Sequence, residues 1–481
     1  MVYKTPGVYI QDITSPPTMT GVVEAAVPAF IGYTETAREQ GESLHRKPTR
    51  IASLAEYEQL FGGSARVRSV TVTLDAGNAP RGVSVAHAYL LYHALRLYFD
   101  NGGGDCYIVS VGGYSADGVK SKHDLETGLN AAADCAAVTL LLMPDAALMG
   151  DAELADLQNK ALSQCATLRN RFALFDLAEW RGHNTGVAAF RTHIGDRNLA
   201  YGAAYTPYLK TTLTLGFDYR DIDLQQGGKA VTLAAVSAAA GLDTAPVNAI
   251  DKALLNGEPP IVIDRLNQDL KQRNGIYADI CNAIQQAGMM LPPSGAVAGA
   301  YVKVDRERGV WKAPANVSLN TVKGVAVSID DTQQQRLNVD PVSGKSINAI
   351  REFAGKGILI WGARTLAGND SEWRYIPVRR FCSGVESALA KLADWVVFEP
   401  NDANTWRRLK QSVENALLEL WRAGALHGAK PEQAYFVKVG LGETMTSQDI
   451  LQGHMVLEIG LAVIRPAEFI ILKRTYNMQA N

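Results

Sequence analysis

Cysteines are few in this chain of 481 residues, and they do not form pairs. The five stand singly, at Cys106, Cys135, Cys165, Cys281 and Cys382, and no CxxC motif occurs. An odd, scattered set of this kind is typical of reduced thiols and argues against a small secreted fold held by disulfides. We therefore predict a protein that is made in the cytoplasm.

Targeting signals and membrane segments are also missing from the sequence. The first residues contain no basic stretch followed by an apolar core, so we expect no secretory signal. No run of 18 or more apolar residues occurs, so we expect no direct membrane insertion. The formal net charge is −2, which lacks the basic surplus of a nucleic-acid-binding protein, and we predict no nucleic acid partner.

Common catalytic and metal-binding motifs are absent as well. The eight histidines form no HExxH pair, since His87 and His93 stand six residues apart. There is no GxSxG nucleophile elbow, and Ser294 lies in Pro-Pro-Ser-Gly, which predicts a turn. No group of histidines, cysteines and aspartates has the spacing of a zinc site. We predict no catalytic residue, no metal and no cofactor.

Apolar runs that alternate with amphipathic stretches predict an open α/β unit in the middle of the chain. The predicted strands are 106–111, 136–143, 171–176 and 199–209, and the predicted helices are 83–98, 123–134, 152–168 and 184–194. Ligands of such sheets bind at the C-terminal ends of the strands, where Asp145 and Asp176 lie. These residues make a cytoplasmic α/β enzyme the alternative hypothesis. The other interpretation is that each carboxylate caps the helix that follows it.

The strongest helical pattern lies near the C-terminus and begins after the turn at 398–402. Apolar residues recur at helical spacing at Trp406, Leu409, Val413, Leu417, Leu420 and Trp421. Charged residues of both signs occupy the other side, at Arg407, Arg408, Lys410, Glu414 and Glu419. Asn401, Asp402 or Asn404 can cap the first turn, and Gly424 can end the helix.

Strand-like segments follow this helix and also occur near the N-terminus. Residues 434–439, 455–464 and 468–473 are rich in β-branched, aromatic and aliphatic side chains, and residues 3–13 have the same character. Apolar strands at a chain end need a pairing partner. The sequence leaves open whether they pair with their own domain or with another molecule.

Several long motifs resemble the contractile tail sheath family of phages, phage-tail-like bacteriocins and extracellular contractile injection systems. They are PGVYIQDI at 6–13, AAVPAFIGYT at 25–34, YEQLFGG at 57–63, LYFDNGGGDCYIV at 97–109, PPSGAVAGAYVKVDRERGVWKAPAN at 292–316, INAIREFAGKGILIWGART at 347–365 and FEPN at 398–401. The resemblance covers both ends and much of the middle, and it is weak between about 117 and 290.

The resemblance implies a multidomain fold of α/β and α+β type. In this fold both chain ends form an inner domain and the middle of the chain forms an outer domain. The expected divisions are an N-terminal exchange arm over 1–22, an outer domain over 23–350 and an inner, tube-proximal domain over 351–481. The poorly matching region, about 117–290, is expected to be a variable region inserted in the outer domain. The charged run 301–309 predicts salt bridges within or between subunits, with anion binding as the alternative.

The resemblance also implies roles for individual residues. Strands exchanged between subunits would contain Val8, Tyr9, Ile10, Gln11, Asp12, Phe469, Ile470, Ile471 and Leu472. They would join a neighbour's sheet at Tyr435, Phe436, Val437, Leu457, Ile459 and Leu461, giving a four-stranded sheet shared between subunits. The tube-facing side of the C-terminal helix would carry Arg407, Arg408, Lys410 and Arg422.

The implied function is structural. A sheath subunit polymerises as stacked hexameric rings around an inner tube and contracts to drive the tube through a target envelope. The implied partners are further copies of the chain, the inner tube protein, and baseplate and tail-terminator proteins. Assembly in the bacterial cytoplasm and release by lysis would follow.

Overall fold

A computed structural model describes residues 26–115, 117–178 and 183–468. The strands are β1 Pro28–Thr34, β2 Arg38–Glu39, β3 Glu42–Ser43, β4 Thr49–Ile51, β5 Val67–Leu74, β6 Pro80–His87, β7 Cys106–Gly113, β8 Leu140–Leu142, β9 Phe172–Asp176, β10 Gly202–Thr206, β11 Leu209–Thr211, β12 Ile222–Gln226, β13 Lys229–Val231, β14 Met290–Leu291, β15 Val317–Ser318, β16 Val322–Val325, β17 Asn348–Phe353, β18 Gly357–Trp361, β19 Tyr435–Lys438 and β20 Glu458–Leu461. The helices are α1 Leu54–Phe61, α2 Leu91–Asp100, α3 Lys122–Ala133, α4 Asp151–Leu168, α5 His183–His193, α6 Leu233–Ala239, α7 Ala245–Leu255, α8 Pro260–Arg273, α9 Gly275–Ala287, α10 Ser294–Arg308, α11 Asp331–Asn338, α12 Ile376–Ala393, α13 Ala403–Arg422, α14 Pro431–Ala434 and α15 Ser447–Leu451.

A nine-stranded sheet forms the centre of the α/β body, in the order β15-β18-β17-β10-β9-β8-β1-β7-β4. The six strands from β17 to β7 run parallel, and antiparallel strands flank them on both sides. The middle strands are apolar on both faces, because helices cover the sheet from both sides. The predicted open α/β unit is confirmed in this sheet.

Two apolar cores sandwich the central sheet. Phe30 of β1 points into the core on the side of α2 and α10, whereas Ile31 points into the core on the side of α3 and α4. This alternation follows from the two-residue period of a strand. The body is therefore a three-layer α/β/α structure.

Residues 117–290 contribute to two parts of the body. Their first half supplies β8, β9 and β10 to the central sheet. Their second half forms helices α6 to α9, together with strands of a four-stranded sheet in the order β13-β12-β5-β6. The predicted outer boundary at residue 350 falls within β17, which is part of the central sheet.

The predicted helix over 83–98 is wrong in its first half. Residues 80–87 form β6, which pairs with β5 over nearly its whole length. Side chains in β6 alternate between exposed and half-buried positions, the period of a strand with one covered face. Tertiary pairing with β5 therefore decides the structure of these residues, and α2 begins only at Leu91.

Ser294 begins helix α10 and does not lie in a turn, contrary to the prediction. The helix packs closely on α2, because Gly295 and Gly299 face the carbonyl groups of Ala94 and Tyr98 at distances that leave no room for a Cβ atom. The prolines before Ser294 precede the helix and do not interrupt it. No helix in the described part of the chain is long and apolar enough to cross a bilayer.

The C-terminal part of the chain forms a small lobe beside the body, and this lobe has its own apolar core. Its apolar core contains Phe381, Val385, Leu409, Val413, Leu417, Leu420, Ala425, Leu426, Ala434 and Val437. Helix α12 connects it to the body, since Ile376 packs in the body core and Phe381 packs in the lobe core. Residues 462–468 lead back from the lobe to the body.

Candidate assembly surfaces of the C-terminal lobe

Helix α13 forms the framework of the lobe. The Asp402 side chain accepts hydrogen bonds from the backbone N–H groups of Asn404 and Thr405, which confirms the predicted cap. Gly424 follows the helix with φ of +77°, a left-handed conformation that favours glycine. The predicted apolar face is buried at Leu409, Val413, Leu417 and Leu420, and burial of each contributes about 1.5–3 kcal/mol.

The four predicted tube-facing cations lie on the side of α13 that faces away from the lobe core. Arg407, Arg408 and Arg422 are exposed, and Lys410 is half-buried. The Arg408 guanidinium stacks on Trp395 at 4.4 Å from the ring centroid. Arg422 pairs with Glu419 at 3.1 Å, where both side chains remain mostly in solvent. The helix therefore presents a surface with a basic surplus, since Glu414 and Glu419 lie on it beside the four cations. Its contact with a tube stays a prediction.

Strands β19 and β20 form a two-stranded antiparallel sheet on the other side of α13. Tyr435 lies opposite Leu461 and Val437 lies opposite Ile459, and these side chains pack on the lobe core. Five of the six predicted acceptor residues lie in these strands, and Leu457 directly precedes β20. The location of the two local strands is confirmed, whereas their role as acceptors stays a prediction.

The outer edge of β20 carries unpaired backbone groups. Ala462 donates its N–H to the Ala434 carbonyl at 2.9 Å. Hydrogen-bonded pairs alternate along an antiparallel ladder, so the backbone groups of Ile459 and Leu461 point away from β19. Within the described ranges no third strand pairs with this sheet. The edge can therefore accept an added strand.

The predicted exchange residues lie outside the part of the chain that the structure describes. This applies to Val8, Tyr9, Ile10, Gln11 and Asp12 near the N-terminus. It applies equally to Phe469, Ile470, Ile471 and Leu472 near the C-terminus. Their participation in a shared sheet stays a prediction.

Asp145, one candidate for an enzyme site, is fully buried between three elements of the body. Its carboxylate accepts hydrogen bonds from the backbone N–H groups of Tyr33 at 2.8 Å, Leu90 at 2.5 Å and Leu91 at 3.2 Å. Burial raises the pKa of this carboxyl, and the three N–H donors oppose the rise. Asp145 therefore caps the first turn of α2, a remote helix and not the one that follows it.

Asp176 acts in the same way at the start of α10. Its carboxylate accepts from the backbone N–H of Ser294 at 2.8 Å and from the Ser294 hydroxyl at 2.5 Å. The interpretation as caps is confirmed for both aspartates, but the prediction that they cap the next helix in the chain is wrong. The parallel sheet brings each strand end close to a helix that is distant in sequence.

His87 and His93 lie side by side in the body, although they form no sequence motif. Their ring centroids are 6.1 Å apart, and burial lowers the pKa of His87 to about 4 and that of His93 to about 3. Both rings are therefore neutral at physiological pH. Among the described residues, no group of three or more histidines, cysteines, aspartates or glutamates is placed to hold a metal ion.

Two ion pairs join residues that are far apart in the sequence, and sequence reasoning identified neither pair of partners. Asp305 pairs with Arg380, and the Asp305 carboxylate also accepts from the N–H of Ala26 at 2.9 Å. Glu468 pairs with Arg364 at 2.6 Å. The prediction that the run 301–309 makes salt bridges is confirmed within the subunit at Asp305. The partners stand 75 and 104 residues apart, so no local pattern could have indicated them.

Comparison with known proteins identifies the kind of molecule. A family model described as the phage tail sheath C-terminal domain matches residues 368–475. Tail sheath proteins of Vibrio phage KVP40 and Burkholderia phage BcepMu are each 25% identical, over 34% and 40% of this chain. The matches span 25% and 39% of the length of these relatives.

Solved structures match over nearly the whole chain. The helical sheath of the anti-feeding prophage in the contracted state is 30% identical, covering 99% of this chain and 100% of that chain, with a TM-score of 0.62. The sheath complex of the extracellular contractile injection system PVC, also contracted, is 28% identical over 99% of both chains, with a TM-score of 0.62.

These relatives are structural sheath proteins and not enzymes. The chain belongs to the contractile tail sheath family. The predicted family is confirmed, as is the prediction that the protein is not an enzyme. The mixed α/β multidomain fold is confirmed at the level of the whole chain.

Proposed function

We propose that this sheath subunit polymerises around an inner tube and contracts to drive the tube through a target envelope. The observation that carries the proposal is the end-to-end similarity to the helical sheath of the anti-feeding prophage in its contracted state. A baseplate structure of the same prophage, contracted, also matches the whole chain at 27% identity and a TM-score of 0.67. Self-association in stacked hexameric rings and contact with a baseplate follow from this similarity as proposals.

We place the inner domain at residues 351–481 together with the arm 1–22, and the outer domain at 23–350. The C-terminal lobe supports an inner domain with its own apolar core. Residues 351–361, however, complete β17 and β18 of the central sheet, so the structure supports the division only for the residues of the lobe. A tail-terminator protein would close the polymer at its distal end. Assembly would take place in the bacterial cytoplasm, with release of the particle by lysis.

Strand exchange would hold neighbouring subunits together. Residues 8–12 and 469–472 would add to the β19–β20 sheet of neighbours and complete a four-stranded sheet. The unpaired backbone groups of Ile459 and Leu461 support the proposal, because an exposed strand edge is a template for pairing with another chain. Backbone hydrogen bonds of this kind could persist while rigid domains rotate during contraction.

Negative-stain electron microscopy of the full-length chain beside a variant that lacks residues 1–16 tests this function. We expect long hollow tubes from the full-length protein and none from the shortened one, because the shortened chain lacks the donor strand. Tubes from both would retain the sheath function and reject the N-terminal arm as an essential link. If neither forms tubes, even when the inner tube protein is added as a template, polymerisation is rejected.

Reversing charge on α13 should weaken binding to the tube. The variant Arg407→Glu/Arg408→Glu replaces two exposed cations, and we expect at least about a tenfold loss of affinity in co-sedimentation with the inner tube. The loss should shrink at high salt, since exposed charges are screened. The matched control is Arg265→Glu/Lys271→Glu, which makes the same charge change on α8. Equal tube binding by both variants and wild type would remove this surface from the interface.

A further inference from the structure

A buried carboxylate, that of Asp305, holds the backbone just before β1. The backbone N–H of Ala26 donates to Asp305 Oδ2 at 2.9 Å, and the same carboxylate binds both terminal nitrogens of Arg380. The Asp305 side chain is fully buried, and the Arg380 guanidinium packs on the Tyr301 ring at 4.9 Å from its centroid. Ala26, two residues before β1, is thus bound to an ion pair that joins α10 and α12.

A second carboxylate, that of Glu468, is bound by the body at a point seven residues after β20. Arg364 donates from Nε at 2.9 Å and from Nη2 at 2.6 Å, Asn338 donates at 2.8 Å and the Tyr375 hydroxyl donates at 3.2 Å. Burial raises the pKa of Glu468, but the hydrogen bonds from Arg364 and Asn338 outweigh it and leave the pKa below its usual value. Nearby, Arg465 donates to the Ser371 carbonyl at 2.9 Å.

Both contacts resist displacement of the chain. Arg364 and Arg380 are 3% and 7% exposed, so removal of either carboxylate would leave a buried guanidinium without its counter-ion. Two-pronged arginine–carboxylate pairs also fix orientation, because both partners are planar. Residues 26 and 468 are therefore held at defined points of the body.

The residues that hold Glu468 and the β19–β20 sheet lie on different parts of the molecule. Asn338, Arg364 and Tyr375 belong to the body, next to the central sheet, whereas β19 and β20 belong to the lobe. Helix α12 links them, since Arg380 lies near its start and Val385 packs in the lobe core. Force applied at Ala26 or at Glu468 would be transmitted to the lobe through α12.

We infer that Asp305 and Glu468 are positioning residues for strand exchange, which anchor the N-terminal and C-terminal segments to the body. They fix Ala26 and Glu468 to the body, so that load from a neighbour would pass into the central sheet and α12. This inference rests on the proposed function for its consequence in assembly. The anchors themselves can be tested on the free chain.

Hydrogen exchange of the full-length variant Glu468→Gln tests the C-terminal anchor. We expect exchange in residues 462–468 to rise by about tenfold or more, because the neutral amide cannot replace the charged pair. Exchange in β19 and in the body should stay as in wild type. Glu419→Gln is the matched control, since Glu419 pairs with Arg422 on the surface. Arg364→Lys keeps the charge without the forked geometry and should give an intermediate rise.

Asp305→Asn tests the N-terminal anchor in the same way. We expect the amides of Ala26 and Val27 to exchange about tenfold faster or more, over and above any rise in β7, because the unpaired Arg380 also lowers the stability of the body. A rise in β7 as large as that at Ala26 and Val27, or failure to fold, would assign Asp305 to body stability and overturn its role as an anchor. Unchanged exchange at 462–468 in Glu468→Gln would overturn the C-terminal anchor.

Assembly of the same variants separates the anchors from the proposed function. If wild type forms tubes, both anchor variants should require at least about tenfold more protein to do so, and Glu419→Gln should not. If the anchor variants form tubes at the same protein concentration as wild type, Asp305 and Glu468 do not transmit load between subunits. The sheath function would still stand. If wild type forms no tubes but the local exchange rises as expected, the anchors stand and the proposed function fails.

Discussion

Proline at Ile459 should weaken assembly by at least about tenfold and leave the subunit folded. The N–H of Ile459 points away from β19, so its loss removes no hydrogen bond within the sheet of the lobe. Proline is tolerated at edge strands for this reason. An added strand, however, would lose one ladder hydrogen bond and meet the proline ring. We expect the protein concentration at which tubes form to rise by at least about tenfold.

Two controls make the result specific. Ile459→Val keeps the N–H donor and the apolar side chain, and it should assemble like wild type. Gly460→Pro removes an N–H that points toward β19 and should disrupt the lobe itself, which circular dichroism and thermal unfolding would detect. Normal tubes from Ile459→Pro would rule out the outer edge of β20 as the acceptor for an exchanged strand.

Asp145→Ala should be the most destabilising single substitution that we predict. It leaves three buried backbone N–H groups, those of Tyr33, Leu90 and Leu91, without their acceptor. Each buried unsatisfied donor costs about 1–3 kcal/mol, so the total loss should be at least about 3 kcal/mol. This is a large part of the roughly 5–15 kcal/mol that stabilises a typical domain.

Chemical denaturation with a fluorescence or circular dichroism readout measures this loss. Asp134→Ala is the matched control, because Asp134 is exposed at the end of α3 and the change should stay within about 0.5 kcal/mol. The close approach of Gly32 to the Asp145 carboxylate gives an independent test. A Cβ atom added at Gly32 would collide with that carboxylate, so Gly32→Ala should also destabilise the body. A midpoint for Asp145→Ala equal to that of wild type would contradict this account of the site.

Local patterns predicted much of the lobe. The apolar spacing from Leu409 to Leu420 depends only on residues three and four positions apart, and it correctly predicted the buried face of α13. The cap at Asp402 depends on the next three residues. The strands around 435–438 and 458–461 were predicted from β-branched and aromatic content.

Local patterns failed where a distant segment decided the outcome. Residues 83–87 were predicted as helix, but β5 lies beside them and pairs with them as a strand. The two candidate aspartates were correctly interpreted as caps, yet the helices that they cap are remote in sequence. The exchange residues at both chain ends stay predictions, because they lie outside the described residues.

The sequence by itself determined the family, through long motifs in order, and the position of the main helix and strands of the lobe. Only the tertiary structure decided which backbone groups stay unpaired at the edge of β20, and which arginine each buried carboxylate binds. The physical reason is distance along the chain. A helix, or a local cap such as Asp402, depends on side chains within a few residues. The capping of α2 by Asp145 and the pairing of Arg364 with Glu468 depend on how distant segments meet.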